Sequence, residues 1–199
     1  MRSWQPTHKL SILIPSIDER KNLLAELMGA LRPQKTDNVE FLVMTDNGQM
    51  SIGQKRNMLL GQSHGEYVAF VDDDDMVPPD YVSRIIAALA HGNPDCASLT
   101  GEIVFSDGYS RPFIHSLRYD RWVDDHEGKI YYRPPNHLNA IKRELAVQAK
   151  FPSLNMGEDR YFSHHIRPLL KKESWIEGTL YQYRCRKTFE ETHNNQVVR

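Results

Sequence analysis

The sequence predicts an α/β fold, an open and mostly parallel sheet flanked by helices. Three observations predict it. Short apolar runs alternate with helix-period segments three times over residues 10–89. The runs are near-continuous in Leu, Ile, Val and Phe, the pattern of strands covered on both faces. Each run also ends in a polar cluster: Ser16 to Arg20, Asp46 to Gly48, and Asp72 to Asp75. In an open α/β sheet the carboxyl ends of the strands form the binding edge.

The elements follow in order. Leu10 to Ile14 is the first strand, stopped by Pro15. Asp18 is placed to cap a helix carrying Leu23, Leu24, Leu27, Met28 and Leu31, which Pro33 ends. Val39 to Met44 is the second strand and runs into the turn Thr45-Asp46-Asn47-Gly48. Ser51 caps a helix through Asn57 to Leu60. Tyr67 to Val71 is the third strand. Pro78 and Pro79 open a helix with Tyr81, Val82, Ile85, Ile86 and Leu89 on one face, and His91 to Pro94 stops it.

The second half is less regular. Ala97 to Phe105 reads as a strand, with Tyr109 to Ile114 pairing back across Ser106-Asp107-Gly108. Residues 115–135 carry no pattern that places an element. Leu138 to Ala149 and Glu158 to Leu170 read as helices. Trp175-Ile176 and Leu180 to Tyr183 read as short strands. The tail from Glu190 is polar and expected to be mobile.

Composition narrows the function. The chain has 199 residues, the size of one domain. Lys plus Arg number 25 against 26 Asp plus Glu, which gives no support to a protein that coats nucleic acid. Cys96 and Cys185 form no CxxC pair and read as free thiols in a reducing compartment. The apolar run from Leu10 to Pro15 is too short for a signal-peptide core or a membrane span. Cytoplasm is the expected location, and no transmembrane segment is expected.

Four consecutive aspartates after an apolar strand need a cation or water. If the backbone is extended, Asp72 and Asp74 share one side, and such a pair suits Mn²⁺ or Mg²⁺ with substrate phosphates completing the shell. The competing role is a solvated loop that caps the next helix. Arg56 is suited to pair with that loop or with phosphate, and Lys55 less so. Neither GxGxxG nor a P-loop occurs. Asp46 is suited to accept from a base N–H. Gly157-Glu158-Asp159 opens a helix, where the two carboxylates either stabilise its N-terminus or present a general base. The nine histidines form no HExxH, and no GxSxG elbow is present. Trp122, Tyr131 and Tyr132 are suited either to an acceptor platform or to the core.

The segments LSILIPS at 10–16, FLVMTDN at 41–47, IGQKRNMLL at 52–60, GEYVAFVDDDDMVPPDYV at 65–82 and FPSLNMGEDRYF at 151–162 come in a recognisable order. With YQYR at 181–184, the combination resembles the family 2-like glycosyltransferases of the GT-A fold, which are inverting and carry a DxD pair. The resemblance covers roughly residues 9–186 and is thinnest over 106–136.

It implies a single transferase domain over 1–199. Residues 9–105 would form the nucleotide-sugar half, 106–186 the half for acceptor and catalytic base, and 187–199 a polar tail. Pro15 and Ser16 would lie beside the nucleotide. Asp46 would contact the base, commonly uracil, and Arg56 the base or phosphates. Asp72 and Asp74 would be the DxD pair, with Asp74 the better metal ligand and Asp73 near the ribose. Asp159 would be the base and Glu158 its alternate. His193 would join the metal shell.

The implied enzyme is a metal-dependent hexosyltransferase taking a nucleoside-diphosphate sugar, most simply a UDP-sugar. The acceptor class stays open: a glycan, a small molecule, a protein or a modified DNA base. The basic-aromatic stretch YQYRCRK at 181–187 keeps the last of these in play. Two other functions compete: a non-catalytic nucleotide-sugar or glycan-binding module, and a metal-dependent nucleotidyltransferase.

Overall fold

The computed structural model describes residues 5–194, apart from the side chains of Glu190, His193 and Asn194. β1 (His8–Pro15) lies between β2 (Val39–Met44) and β3 (Gly65–Phe70), parallel to both. Pro15 stands opposite Met44 and Leu13 opposite Phe70, so the three carboxyl ends share one edge. The connections are helical: α1 (Lys21–Leu31), α2 (Ile52–Gln62) and α3 (Tyr81–Leu89). Then come β4 (Cys96–Ala97), β5 (Leu99–Val104), β6 (Ser110–His115), β7 (Val123–Asp125), β8 (Ile130–Arg133) and β9 (Ile141–Lys142). α4 (Arg143–Ala149), α5 (Glu158–Ile166), β10 (Glu173–Ser174), β11 (Tyr181–Arg184) and α6 (Phe189–Asn194) follow.

Two sheets result. The first has the order β10-β4-β9-β3-β1-β2, and only β9 runs antiparallel to its neighbours. The second, β11-β5-β6-β8-β7, is mixed. Side-chain alternation puts Leu10, Ile12 and Ile14 of β1 in the core with Leu27 and Leu31 of α1 and Ile85 of α3. Leu13 faces the other way, into a core with Leu59 of α2 and with Phe162 and Ile166 of α5. Helices on both faces are why β1 is apolar from Leu10 to Pro15 except at Ser11. That hydroxyl is buried but satisfied: it donates to Glu40 Oε1 at 2.6 Å and accepts from Gly65 N at 2.8 Å.

The structure corrects several expectations. The Asp18 side chain makes no cap; the residue opens a 3-10 turn over Asp18–Arg20 that precedes α1. Ser51 does cap α2, in a reciprocal capping box with Gln54. The helix read over 138–149 starts at Arg143, because Ile141 and Lys142 are drawn into the sheet between β3 and β4. The late strand falls at Glu173–Ser174 rather than Trp175-Ile176. Residues 115–135 hold β7 and β8, whose short, charged strands gave no period to read. Of the tail read from Glu190, the described residues, as far as Asn194, belong to α6, whose first residue Phe189 packs its ring 5.3 Å from Phe105 and 4.8 Å from Tyr109.

Candidate active site

The acidic run follows β3 as a turn rather than as extended chain: Asp75 N donates to Asp72 O at 3.1 Å. Each aspartate therefore has its own surroundings. Asp75 is fully buried and structural, accepting from Tyr181 Oη at 2.7 Å and Arg184 N at 2.9 Å, which ties the turn to β11. Burial, with Asp72 close by, raises its pKa well above the ordinary value despite those bonds. Asp73 accepts from Ser16 Oγ at 2.6 Å and from Arg20 Nη1 at 2.9 Å. Asp74 is partly exposed and lies 3.2 Å from Arg20 and 3.3 Å from Arg186. Burial and the flanking Asp72 and Asp73 raise its pKa, and the two arginines oppose the rise.

Asp72 faces a buried cation. Arg56 Nη2 donates to its Oδ1 at 2.8 Å, and His137 Nε2 lies 3.5 Å from its Oδ2. Burial alone would raise this carboxyl, but Arg56 and His137 hold it well below the ordinary range. Arg56 also donates from Nη1 to Glu158 Oε1 at 2.5 Å and from Nη2 to His137 Nε2 at 3.0 Å. Its neighbour Lys55 is just as buried; it donates to Ser16 O at 2.6 Å and pairs with Asp46. Asp46 further accepts from Met50 N at 2.7 Å. Its carboxylate thus braces the loop after β2, with its pKa lowered chiefly by the Lys55 bond.

The helix α2 brings the second half of the chain to this point. Gly53 N donates to Leu154 O at 3.2 Å, and a Cβ at Gly53 would overlap the Pro152 carbonyl oxygen. Asn57 exchanges two hydrogen bonds with the Phe151 backbone, at 2.8 and 2.9 Å. Ile52 N donates to Asn155 Oδ1 at 3.0 Å. One face of α2 thereby holds residues 151–155, and Gly157, at φ +80°, turns the chain into α5. Glu158 lands on Arg56. Asp159 is partly exposed, forms no ion pair among the described residues, and accepts from Arg160 N at 2.7 Å.

Two cavities share this wall. The first, about 470 Å³, takes in Pro15, Ser16, Arg20, Lys55 and Asp72 to Asp74. The second, about 410 Å³, takes in Asp159, His137, Trp122, Tyr131, Phe113 and Met156. Arg56, Asp72, Asn155, Glu158 and Tyr183 line both. Of the aromatic residues read as a platform, Trp122 and Tyr131 face the second cavity, while Tyr132 packs at a tilt 4.9 Å from Tyr119. The His193 side chain lies outside the described residues. Sequence reasoning gave no role to Arg20, His137 and Tyr183: Arg20 figures only as the end of the Ser16 to Arg20 cluster, and His137 and Tyr183 are brought in by long-range packing.

The donor set of the turn fits a hard divalent cation. Asp72 and Asp74 both line the first cavity, and their carboxylate oxygens are the donor type that could hold such an ion. No three-residue His, Cys, Asp or Glu cluster suited to a metal occurs among the described residues. Such an ion would therefore complete its shell with ligand oxygens or water. No helix among the described residues is long and apolar enough to cross a membrane.

Comparison with known proteins agrees with the geometry. Residues 47–166 match the model of glycosyl transferase family 2. Glycosyltransferase GlyA of Streptococcus pneumoniae is 23% identical over 90% of this chain and 31% of its own length. EpsH of Bacillus subtilis is 23% identical over 89% of this chain and 61% of its own. The chain thus spans less than two thirds of each of these relatives. Among solved structures, residues 1–349 of S. aureus TarS with UDP-GlcNAc superpose with a TM-score of 0.67 at 16% identity, over 93% of this chain and 61% of that one. The UDP complex of the same portion gives 0.64 at 17% identity, over 88% and 60%. That likeness shows the fold, the GT-A-like α/β architecture. The family match covers more than half of the residues and includes the acidic turn, the docking strip of α2 and the Glu158-Asp159 corner, and the chain belongs to glycosyl transferase family 2.

Proposed function

We propose that the chain transfers a sugar from a nucleoside-diphosphate sugar, most simply a UDP-sugar, to an acceptor hydroxyl with inversion at the anomeric carbon. The observation that carries the reading is the shared wall: an acidic turn faces one cavity and an unpaired carboxylate faces the next. Complexes of TarS with UDP-GlcNAc and UDP support a uridine nucleotide in the first cavity. A divalent cation, Mn²⁺ or Mg²⁺, held by Asp74 and Asp72 with diphosphate oxygens, would supply charge to the departing diphosphate.

The chain's own residues do the rest. Asp159 takes the proton of the acceptor hydroxyl as its oxygen bonds to the anomeric carbon. The bond from that carbon to the diphosphate oxygen breaks on the opposite side, and the nucleoside diphosphate leaves. Asp159 suits the base role better than Glu158, whose carboxylate is committed to Arg56. Arg20 and Arg56 set positive charge beside the leaving group. Trp122 and Tyr131 offer apolar faces for the acceptor.

Calorimetric titration with UDP, GDP, dTDP and CDP, each with Mn²⁺ and with EDTA, tests the donor site. Manganese-dependent binding of one nucleotide is expected, weakened in Asp74→Asn. No binding by any of them would overturn the reading. Asp159→Asn should keep nucleotide affinity and lose transfer; normal transfer by that variant would remove Asp159 as base. Release of nucleoside diphosphate is expected, and release of pyrophosphate from a sugar phosphate and NTP would point instead to a nucleotidyltransferase. Donor binding without transfer across a broad acceptor panel would point to a binding module.

A further inference from the structure

Trp122 and Gly157 of the acceptor cavity also line a third cavity of about 590 Å³, which lies next to it. Its walls are the outer face of α5 and the loop before β7. Asp159 faces the second cavity and its chain neighbour Arg160 the third.

Cations outnumber anions there, with Arg121, Arg160 and Arg167 set against Asp120. Arg167 is a fixed charge: Nε donates to Tyr119 O at 3.1 Å and Nη2 to Leu117 O at 2.7 Å. Both partners are neutral carbonyls, so the positive charge is left uncancelled. Arg160 lies over the Trp122 ring at 5.9 Å. Arg121 is exposed and makes no hydrogen bond or ion pair with any described residue. Around the rim, the Tyr161 and His165 rings stack 3.9 Å apart and Trp122 is partly open to solvent. Surface arginines in a protein of near-zero net charge are ordinarily matched by nearby acids. Here they converge on one concavity that shares Trp122 and Gly157 with the proposed acceptor site.

We infer that this third cavity is an acceptor subsite for an anionic group, and that the acceptor is an oligosaccharide-like chain bearing phosphate or carboxylate. The inference rests on the reading of the second cavity as the acceptor site. The reacting hydroxyl lies at Asp159, the next unit stacks on Trp122, and the anion meets the guanidinium forks of Arg121, Arg160 and Arg167. Phosphate and carboxylate suit such forks equally in kind.

The test is binding rather than turnover, read by calorimetry on the whole chain. Three probes of equal length are used: a neutral maltotetraose, a tetragalacturonate and a phosphorylated mannotetraose. At least one anionic probe should bind about tenfold or more tighter than the neutral one, and the advantage should shrink with added salt. Which of the two binds better identifies the anion. Arg121→Glu should lose that advantage while the affinities for maltotetraose and UDP stay as in the wild type. Equal binding of neutral and anionic probes, absence of binding by all three, or an unchanged anionic affinity in R121E would each overturn the inference. Titration of UDP on the same sample separates the two failures. If UDP binds and the anionic preference is absent, only this subsite falls; if UDP does not bind, the transferase reading falls.

Discussion

Arg56 and Glu158 form a buried ion pair at 2.5 Å across the wall that separates the two cavities of the site. The residues are 102 positions apart, and the pair joins the donor-side half of the chain to the helix that carries Asp159. Arg56 has a second carboxylate, Asp72, at 2.8 Å, so the pair belongs to a three-member cluster.

Truncating one partner of a buried pair leaves the other without its counter-charge, at a cost of about 3–5 kcal/mol. Glu158→Ala is expected to fall at the low end of that range, because Asp72 still faces Arg56. Asp159→Asn, one residue on and partly exposed, should leave stability within about 0.5 kcal/mol of the wild type. Urea denaturation of both variants checks this. An E158A protein as stable as the wild type would show that the pair does not hold the wall together.

Arg20 bridges Asp73 and Asp74 while lining the first cavity, and its side chain is 37% exposed. On the proposed reading it would give the diphosphate a cation beside the acidic turn, and its buried partner Asp73 keeps the Ser16 hydroxyl bond when Arg20 is removed. Arg20→Ala is expected to weaken UDP binding in Mn²⁺ by about tenfold, roughly 1.4 kcal/mol, and to leave uridine affinity unchanged. Parallel titrations with UDP and uridine decide it, since equal losses for both would move Arg20 away from the phosphates.

The first three strand–helix units were legible because their signals are local. Apolar runs, Pro15, Ser51 and the Pro78-Pro79 pair each act within a few residues. The acidic turn and the Glu158-Asp159 corner were legible as candidates for the same reason. Their division of labour was not. That Asp75 is structural depends on Tyr181 and Arg184, over a hundred residues away, and that Asp46 braces a loop depends on a buried Lys55. The short β9 was hidden because only tertiary pairing makes Ile141 and Lys142 a strand. Arg20 and His137 carry no motif, and only the fold puts them beside Asp72 to Asp74.

Gly53 carries a prediction that sequence pattern alone gives no reason to make. It sits inside a helix, where Ala is ordinarily favoured by about 1 kcal/mol. Here a methyl group would strike backbone, the Pro152 carbonyl, rather than a movable side chain. Gly53→Ala should therefore destabilise the protein by about 1–3 kcal/mol and lower transfer more than Gly61→Ala, whose added Cβ meets nothing within 4 Å. Thermal melts of the two variants provide the comparison. A G53A protein more stable than the wild type would mean that residues 151–155 do not dock on α2.

His115 lowers stability in mild acid, while the buried Asp75 carboxyl, its pKa raised in the fold, acts in the opposite sense. The histidine is buried beside the second cavity, its Nδ1 3.1 Å from Asn136 Oδ1. Burial first, then His137 and Arg133, push the imidazole down to about 3. An unfolded histidine titrates near 6.5. Between those values the unfolded chain holds a proton that the folded chain refuses, so stability rises with pH and falls as the solution is acidified. From pH 7.5 to 5.5 the single residue should cost about 1.4 kcal/mol. Glu40, whose pKa is lowered in the fold by Ser11 and His64 against the effect of burial, adds its own loss only below that window, where carboxylates take up protons. His115→Asn removes the titrating ring and keeps a donor for Asn136. Urea denaturation at the two pH values should show H115N losing about 1.4 kcal/mol less than the wild type, because the contribution of Asp75 is common to both proteins. An equal drop in both proteins would assign the acid response to other groups.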